Sequence, residues 1–202
     1  MLYNLLTNYS DTYSFLNFFN FLTVRTGLAT ITAMIIVFLI GEKFINFFST
    51  NKITNPIRLD GPEDHLIKKI GTPTMGGVLI LIGLFFGVFL WADLYNPYNW
   101  LLIFITFSFG ILGAFDDYKK IKNNNSKGIS SKLKLIIQII IGLISLVILY
   151  NFIDSNQITN LYFPFFKNLV INLGWFFIPF YLFVIVGSSN AVNLTDGLDG
   201  LA

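Results

Sequence analysis

The sequence predicts an all-α, polytopic membrane protein with five complete transmembrane helices, the start of a sixth, and its N-terminus outside. Three observations carry that prediction. Hydrophobic residues make up 54% of the 202 and charged residues only 12%, against about 25% charged in ordinary soluble domains; mean hydropathy is +0.69. Apolar runs at 26–48, 75–91, 100–115, 135–153 and 169–187 each approach the ~20 residues that cross ~30 Å of hydrocarbon. The basic residues are gathered into two of the intervening segments. All 202 residues read as a single integral membrane domain, 1–202.

In chain order, residues 1–24 are rich in Phe, Tyr and Asn, with Asp11 the only charge. They are too polar to span and read as an interfacial segment. The opening Met1-Leu-Tyr-Asn-Leu-Leu lacks a basic n-region, so no removable signal peptide is expected. The five apolar runs follow. In hydrocarbon only helices or closed barrels satisfy the backbone, and runs this long without alternation are helices rather than barrel strands. Leu198 onward opens a sixth helix. The chain has no cysteine and one histidine, His65, which excludes disulfides, thiolate metal sites and any multi-histidine site within it. No fixed-period repeat is visible.

Orientation follows from the cations. Lys43, Lys52, Arg58, Lys68 and Lys69 lie at or after the end of the first run. Lys119, Lys120, Lys122, Lys127, Lys132 and Lys134 lie between the third and fourth. These are eleven of the thirteen basic residues, leaving Arg25 and Lys167 on the other side. The positive-inside rule places both basic loops in the cytoplasm and the N-terminus outside. Five crossings later, residues 190–202 are cytoplasmic as well.

Three polar signals therefore share one face. The first is Lys68-Lys69-Ile-Gly71-Thr72-Pro73-Thr74-Met75-Gly76-Gly77. Thr72 or Thr74 suits a helix cap and Pro73 a first turn. Glycines at a helix start permit close approach by a neighbour or ligand, and free N–H groups behind lysines suit a phosphate. The plainer reading is a capped, tightly packed helix entry with snorkelling lysines. The second is Asp116-Asp117 beside Lys119 and Lys120. Adjacent carboxylates near hydrocarbon need a cation; Mg²⁺ with a phosphate ligand supplies one, and so do the neighbouring lysines of an ordinary charged helix end. The third is Asn190-Ala-Val-Asn193-Leu-Thr-Asp196-Gly-Leu-Asp199-Gly-Leu-Ala202, whose amides and carboxylates recur every three residues. On a helix such pairs share a face; otherwise this is a polar loop with turn glycines. Gln138, alone in an apolar run, is expected to face the protein interior. The helix centres are almost free of charge, which fits chemistry at a membrane surface better than translocation.

Residues 69–77, the Asp116-Asp117 pair and residues 190–202, in that order and at matching membrane positions, closely resemble the phospho-N-acetylmuramoyl-pentapeptide-transferase family. The similarity extends over essentially the whole chain, including Asp60-Gly-Pro-Glu63. Thr72-Pro-Thr-Met-Gly-Gly77 favours this branch over the related N-acetylhexosamine-phosphate transferases, which share mainly the paired aspartates and the asparagine/aspartate motif.

The resemblance implies an Mg²⁺-dependent transfer of phospho-MurNAc-pentapeptide from UDP-MurNAc-pentapeptide to undecaprenyl phosphate, giving lipid I and UMP for peptidoglycan synthesis. It implies a multi-pass protein of the bacterial cytoplasmic (inner) membrane, no nucleic-acid partner, and a homodimer as a candidate assembly. By motif position Asp116 engages or deprotonates the lipid phosphate, and Asp117 helps order it and the metal. Lys69 and Lys134 neutralise phosphate charge, with Lys68 the alternative to Lys69. Thr74, Asn190, Asn193, Asp196 and Asp199 bind the nucleotide end or the metal's water shell. The family has about ten membrane helices, and its main metal-binding aspartate lies beyond residue 202. The chain thus reads as an N-terminal fragment, expected to be inactive alone. The alternatives are a transferase using another UDP-N-acetylhexosamine, and a non-catalytic membrane protein or transporter.

Overall fold

A computed structural model describes residues 1–51, 53, 75–123, 128–152, 155–163 and 165–195. The elements are α1 (Leu2–Asn8), a 3₁₀ segment (Ser14–Asn20), α2 (Leu22–Thr50), α3 (Gly76–Trp91), α4 (Pro97–Asn123), α5 (Ser131–Phe152), the single turn α6 (Ser155–Ile158), β1 (Asn160–Phe163), β2 (Phe166–Asn172), a 3₁₀ turn (Gly174–Phe176) and α7 (Phe177–Thr195). They form two compact units, Met1–Ser130 and Ser131–Ala202.

Each of the five apolar runs contributes a helix. Four helical segments, Leu22–Thr50, Pro97–Asn123, Ser131–Phe152 and Gly174–Thr195, are long and apolar enough to cross a membrane. The fifth, α3, has 16 residues, about 24 Å at 1.5 Å per residue, and falls short of the ~30 Å core. Large side chains such as Phe38, Leu39, Phe86 and Phe183 are exposed, as lipid-facing residues are. The short helix and 3₁₀ segment of residues 2–20 are too brief to span.

In the first unit, α2 and α3 pack antiparallel at close range. A Cβ on Gly87 would stand 2.7 Å from the Ala29 carbonyl oxygen, and one on Gly83 2.9 Å from that of Ala33. Small residues at such crossings let backbones approach and replace the hydrophobic drive that lipid removes. The Trp91 side chain reaches back to α2, where its Nε1–H donates to Thr32 Oγ1 at 2.9 Å. Gly87→Ala is expected to cost roughly 1–3 kcal/mol, because the obstacle is backbone that cannot turn aside. A thermal midpoint unchanged in detergent would contradict this.

In the second unit, the residues preceding α7 depart from expectation. The fifth helix was expected from residue 169, but Leu169, Val170 and Ile171 belong to β2. They pair antiparallel with β1 in the register Asn160↔Asn172, Leu161↔Ile171 and Tyr162↔Val170. β-Branched and aromatic residues favour strands, and the Asn172 amide donates to Asn160 Oδ1 at 2.9 Å across the pair. The apolar run thus joins a hairpin strand to a helix that begins later and continues to Thr195.

The start of α3 differs too. Its N-cap is Met75, in the left-handed region at φ 66°, with no side-chain cap. Thr72 and Thr74, expected as caps, and Pro73, expected in the first turn, lie outside the described residues. Among the described residues nothing approaches where a Cβ on Gly76 or Gly77 would stand.

Candidate active site

The carboxylate pair sits in the penultimate turn of α4, past the apolar stretch. Consecutive residues on a helix point about 100° apart, so Asp116 and Asp117 do not face each other. A residue four beyond the first and three beyond the second reaches both, and that residue is Lys120. Its Nζ lies 2.7 Å from Asp116 Oδ2 and 3.0 Å from Asp117 Oδ1. Lys120 and Lys122, in the last turn of α4, also complement the negative end of the helix dipole. The lysine-neutralised helix end is therefore what the structure displays, with Lys120 rather than Lys119 making the contacts.

A loop segment completes the arrangement. The Ile129 N–H donates to Asp116 Oδ1 at 2.7 Å, so both oxygens of Asp116 are held, one by an ammonium and one by an amide. Ile129 is itself buried and anchors the segment. Its predecessor Gly128 is left-handed at φ +56°, and a Cβ there would run into the Asp116 carboxylate and stand 2.9 Å from Lys120 Cε. Sequence reasoning missed this contribution; the glycine inside the polar Lys127-Gly-Ile-Ser segment was its one visible signal.

The pair suits a small hard cation. Its two oxygens converge on one point, where the Lys120 ammonium stands, and Mg²⁺ takes few carboxylates with water and phosphate oxygens filling the rest. No cluster of three or more His, Cys, Asp or Glu occurs among the described residues. Asp116 and Asp117 are the carboxylates that would face such an ion if Lys120 gave up its place.

In the second unit, α5 and α7 pack antiparallel through a polar seam. Gln138 is 1% exposed, as its isolated place in an apolar run predicted. Its Oε1 accepts from the Asn190 amide at 2.8 Å, and Asn190 also donates to the Val186 carbonyl at 2.9 Å. Two turns along α5, the buried Ser145 pairs its hydroxyl with that of Tyr181 at 2.9 Å. Asn190 and Asn193 do share a helix, yet their surroundings differ. Asn190 is turned into the seam, and Asn193, a further 300° around, is exposed. Lys134, half-buried one turn before Gln138, lies at the same end of this antiparallel pair as Asn193. Lys68, Lys69, Thr74, Asp196 and Asp199 lie outside the described residues.

The seam fixes how α7 is rotated and hence where Asn193 points. Gln138→Leu would leave the Asn190 amide without its acceptor across the pair. The expected loss is about 0.5–2 kcal/mol, the range for such bonds between membrane helices, read as a lower thermal midpoint. An unchanged midpoint would show that the seam contributes nothing.

The sequence pattern of glycosyl transferase family 4 matches residues 99–202, a stretch holding the aspartate pair, Gly128, Gln138 and the asparagines. Signature 1 of phospho-N-acetylmuramoyl-pentapeptide-transferase matches residues 69–81. The chain is similar along its whole length to curated proteins of that name. It is 64% identical over 202 residues to the one from Pelagibacter ubique (strain HTCC1062), 50% over 204 to that of Rickettsia bellii (strain RML369-C), and 46% over 208 to that of Caulobacter vibrioides (strain NA1000 / CB15N). In each case the match covers 100% of this chain and 56% of the relative, so the chain spans little more than half their length. With a family pattern over half its residues, the chain belongs to glycosyl transferase family 4, and along its full length it is similar to curated proteins named phospho-N-acetylmuramoyl-pentapeptide-transferase.

Proposed function

We propose that this chain supplies the phosphate-handling half of a transferase that moves phospho-MurNAc-pentapeptide from UDP-MurNAc-pentapeptide to undecaprenyl phosphate, releasing UMP and leaving lipid I. The carrying observation is the carboxylate pair at the end of an apolar helix, converging on one cation and fixed by Lys120 and the Ile129 amide. The reaction brings one anion against another. Two unit charges ~4 Å apart repel by roughly 4 kcal/mol at an effective dielectric near 20, so a site for it must gather cations and hold them still.

In this reading Asp116 engages or deprotonates the phosphate of undecaprenyl phosphate as its oxygen attacks the sugar-bearing phosphorus of the UDP substrate. A new P–O–P linkage forms, the old one opens, and UMP leaves. Asp117 orders Asp116. Lys69 and Lys134 offset phosphate charge, Thr74 and Asn193 contact substrate, and Asp196 and Asp199 serve the nucleotide end. Asn190, its amide given to Gln138, positions Asn193 rather than meeting substrate. Asp116 and Asp117 are this chain's donors for Mg²⁺, which when bound offsets diphosphate charge in phosphoryl transfers generally; the family's main metal aspartate lies beyond residue 202. In this reading α3 crosses with the four longer helices and the N-terminus is outside, so that by the positive-inside rule both basic segments and residues 190–202 belong to the cytoplasmic face of the inner membrane. A homodimer is the assembly to test.

The discriminating experiment supplies the full-length protein with undecaprenyl phosphate and radiolabelled UDP-MurNAc-pentapeptide or UDP-N-acetylglucosamine, with and without Mg²⁺. Label is expected in lipid only from the first donor and only with the metal. Labelling from UDP-N-acetylglucosamine would move the protein to the related transferases. The 202 residues alone are expected to transfer nothing, and lipid I made by them would refute the assignment of essential groups to the remainder.

A further inference from the structure

A second site lies at the opposite end of α4 from the aspartate pair. From Asn99 to Asp116 is seventeen residues along one helix, about 26 Å. There the start of α2, the end of α3 and the start of α4 enclose a cavity of about 350 Å³, with Arg25, Thr26, Trp91, Asp93, Asn96 and Asn99 in its walls. Arg25 is one of only two basic residues outside the cation-rich segments, so charge segregation does not explain it. Its Nε is buried without a hydrogen-bond partner. Its guanidinium lies 4.2 Å from the Tyr3 ring centroid and makes no ion pair among the described residues. A guanidinium is a rigid fork of five donors that matches phosphate oxygens, and Arg25, half-buried, offers that fork to no anion among the described residues. Asp93, the one carboxylate in the wall, is already engaged, accepting from the Asn4 amide at 3.1 Å and the Tyr95 N–H at 3.0 Å.

The cavity does not end at its polar wall. Ala29, Thr30 and Val88 are shared with a second groove of about 440 Å³ that follows α2 as far as Phe38 between apolar side chains. From Arg25 to Phe38 is thirteen residues, about 20 Å, enough to line one leaflet of a ~30 Å hydrocarbon core. A guanidinium with no ion pair among the described residues, opening into an apolar trough of one leaflet's depth, complements the polarity and length of a phospholipid. We propose that the α2–α3 pair binds a phospholipid, its phosphodiester on Arg25 and one acyl chain along the trough from Ala29 to Phe38. The site is independent of the transfer chemistry, so either can fail without the other.

The test is native mass spectrometry of the full-length protein exchanged into detergent carrying phosphatidylglycerol, diacylglycerol with the same chains, or inorganic phosphate. Unaltered protein is expected to retain about one phosphatidylglycerol per chain and no diacylglycerol. Arg25→Gln is expected to lower that retention tenfold or more, the effect of losing one charge-assisted contact. Met34→Trp, which fills the trough and leaves Arg25 alone, is expected to lower it as well. Equal retention of the two lipids, or undiminished retention by Arg25→Gln, would overturn the proposal. So would inorganic phosphate displacing the lipid, which marks a free-anion site, or retention of neither lipid, which marks a groove covered by protein.

Discussion

Asp116→Asn in the full-length protein is expected to abolish lipid I formation, with turnover down by at least about 10³-fold, while membrane insertion and thermal midpoint stay near those of the unaltered protein. The substitution is close to isosteric. An asparagine oxygen still accepts from the Ile129 N–H, now 2.7 Å from Asp116 Oδ1, so the loop segment keeps its anchor. The asparagine NH₂ then replaces the oxygen that faces Lys120, two donors that cannot bond, so Lys120 turns away from it and keeps Asp117, 3.0 Å away, and no cation is stranded. What disappears is the negative charge that the proposed mechanism sets against the metal and the basic oxygen it uses to take a proton; positioned proton transfer alone is worth 10²–10⁴. Radiolabel transfer and unfolding, measured on the same preparation, separate chemistry from folding. Near-normal turnover would sink the assignment of Asp116, and lost turnover with a collapsed midpoint would reassign the residue to structure.

Much of this arrangement is legible in the residues, and what is not has physical causes. Helices at the five apolar runs follow from length and from the demand that hydrocarbon places on backbone polar groups. Gln138 is found buried because an amide amid isoleucines has nowhere else to be satisfied. The hairpin of β1 and β2 escapes notice because Leu169-Val-Ile171 is as apolar as the helix after it, and composition does not separate a short strand from a helix start. The cap of α3 is misread because threonines near a helix entry are a propensity, whereas the backbone turns at Met75. In the aspartate site the pair itself is plain, yet the identity of its cation is not. The choice between Lys119 and Lys120 is settled by helical angle, since only the second is in reach of both carboxylates. The role of Asn190 depends on a partner 52 residues away on another helix, a contact its own spacing does not contain.

That dependence on the surroundings of a carboxylate is sharpest at Gly128, where Gly128→Ala is expected to cut transfer by about 10- to 100-fold. Two penalties act there, and they are separable. The backbone sits at φ +56°, where an L side chain costs roughly 1–2 kcal/mol. Independently, the new Cβ would stand 3.0 Å from Asp116 Cγ and 2.9 Å from Lys120 Cε. Lys120 is flexible and can give way, but Asp116 is held through Ile129 and moves only by giving up that bond. Displacements near 1 Å are enough to cost about 10² in rate where reacting groups must be aligned. Asparagine separates the two effects, because it tolerates the left-handed conformation better than alanine yet carries the same Cβ. Gly128→Asn is therefore expected to recover part of the stability lost in Gly128→Ala while its turnover stays low. If asparagine restored turnover, glycine would be serving the turn alone. If alanine were harmless on both counts, the segment from Gly128 to Ile129 would not be what holds Asp116 in place.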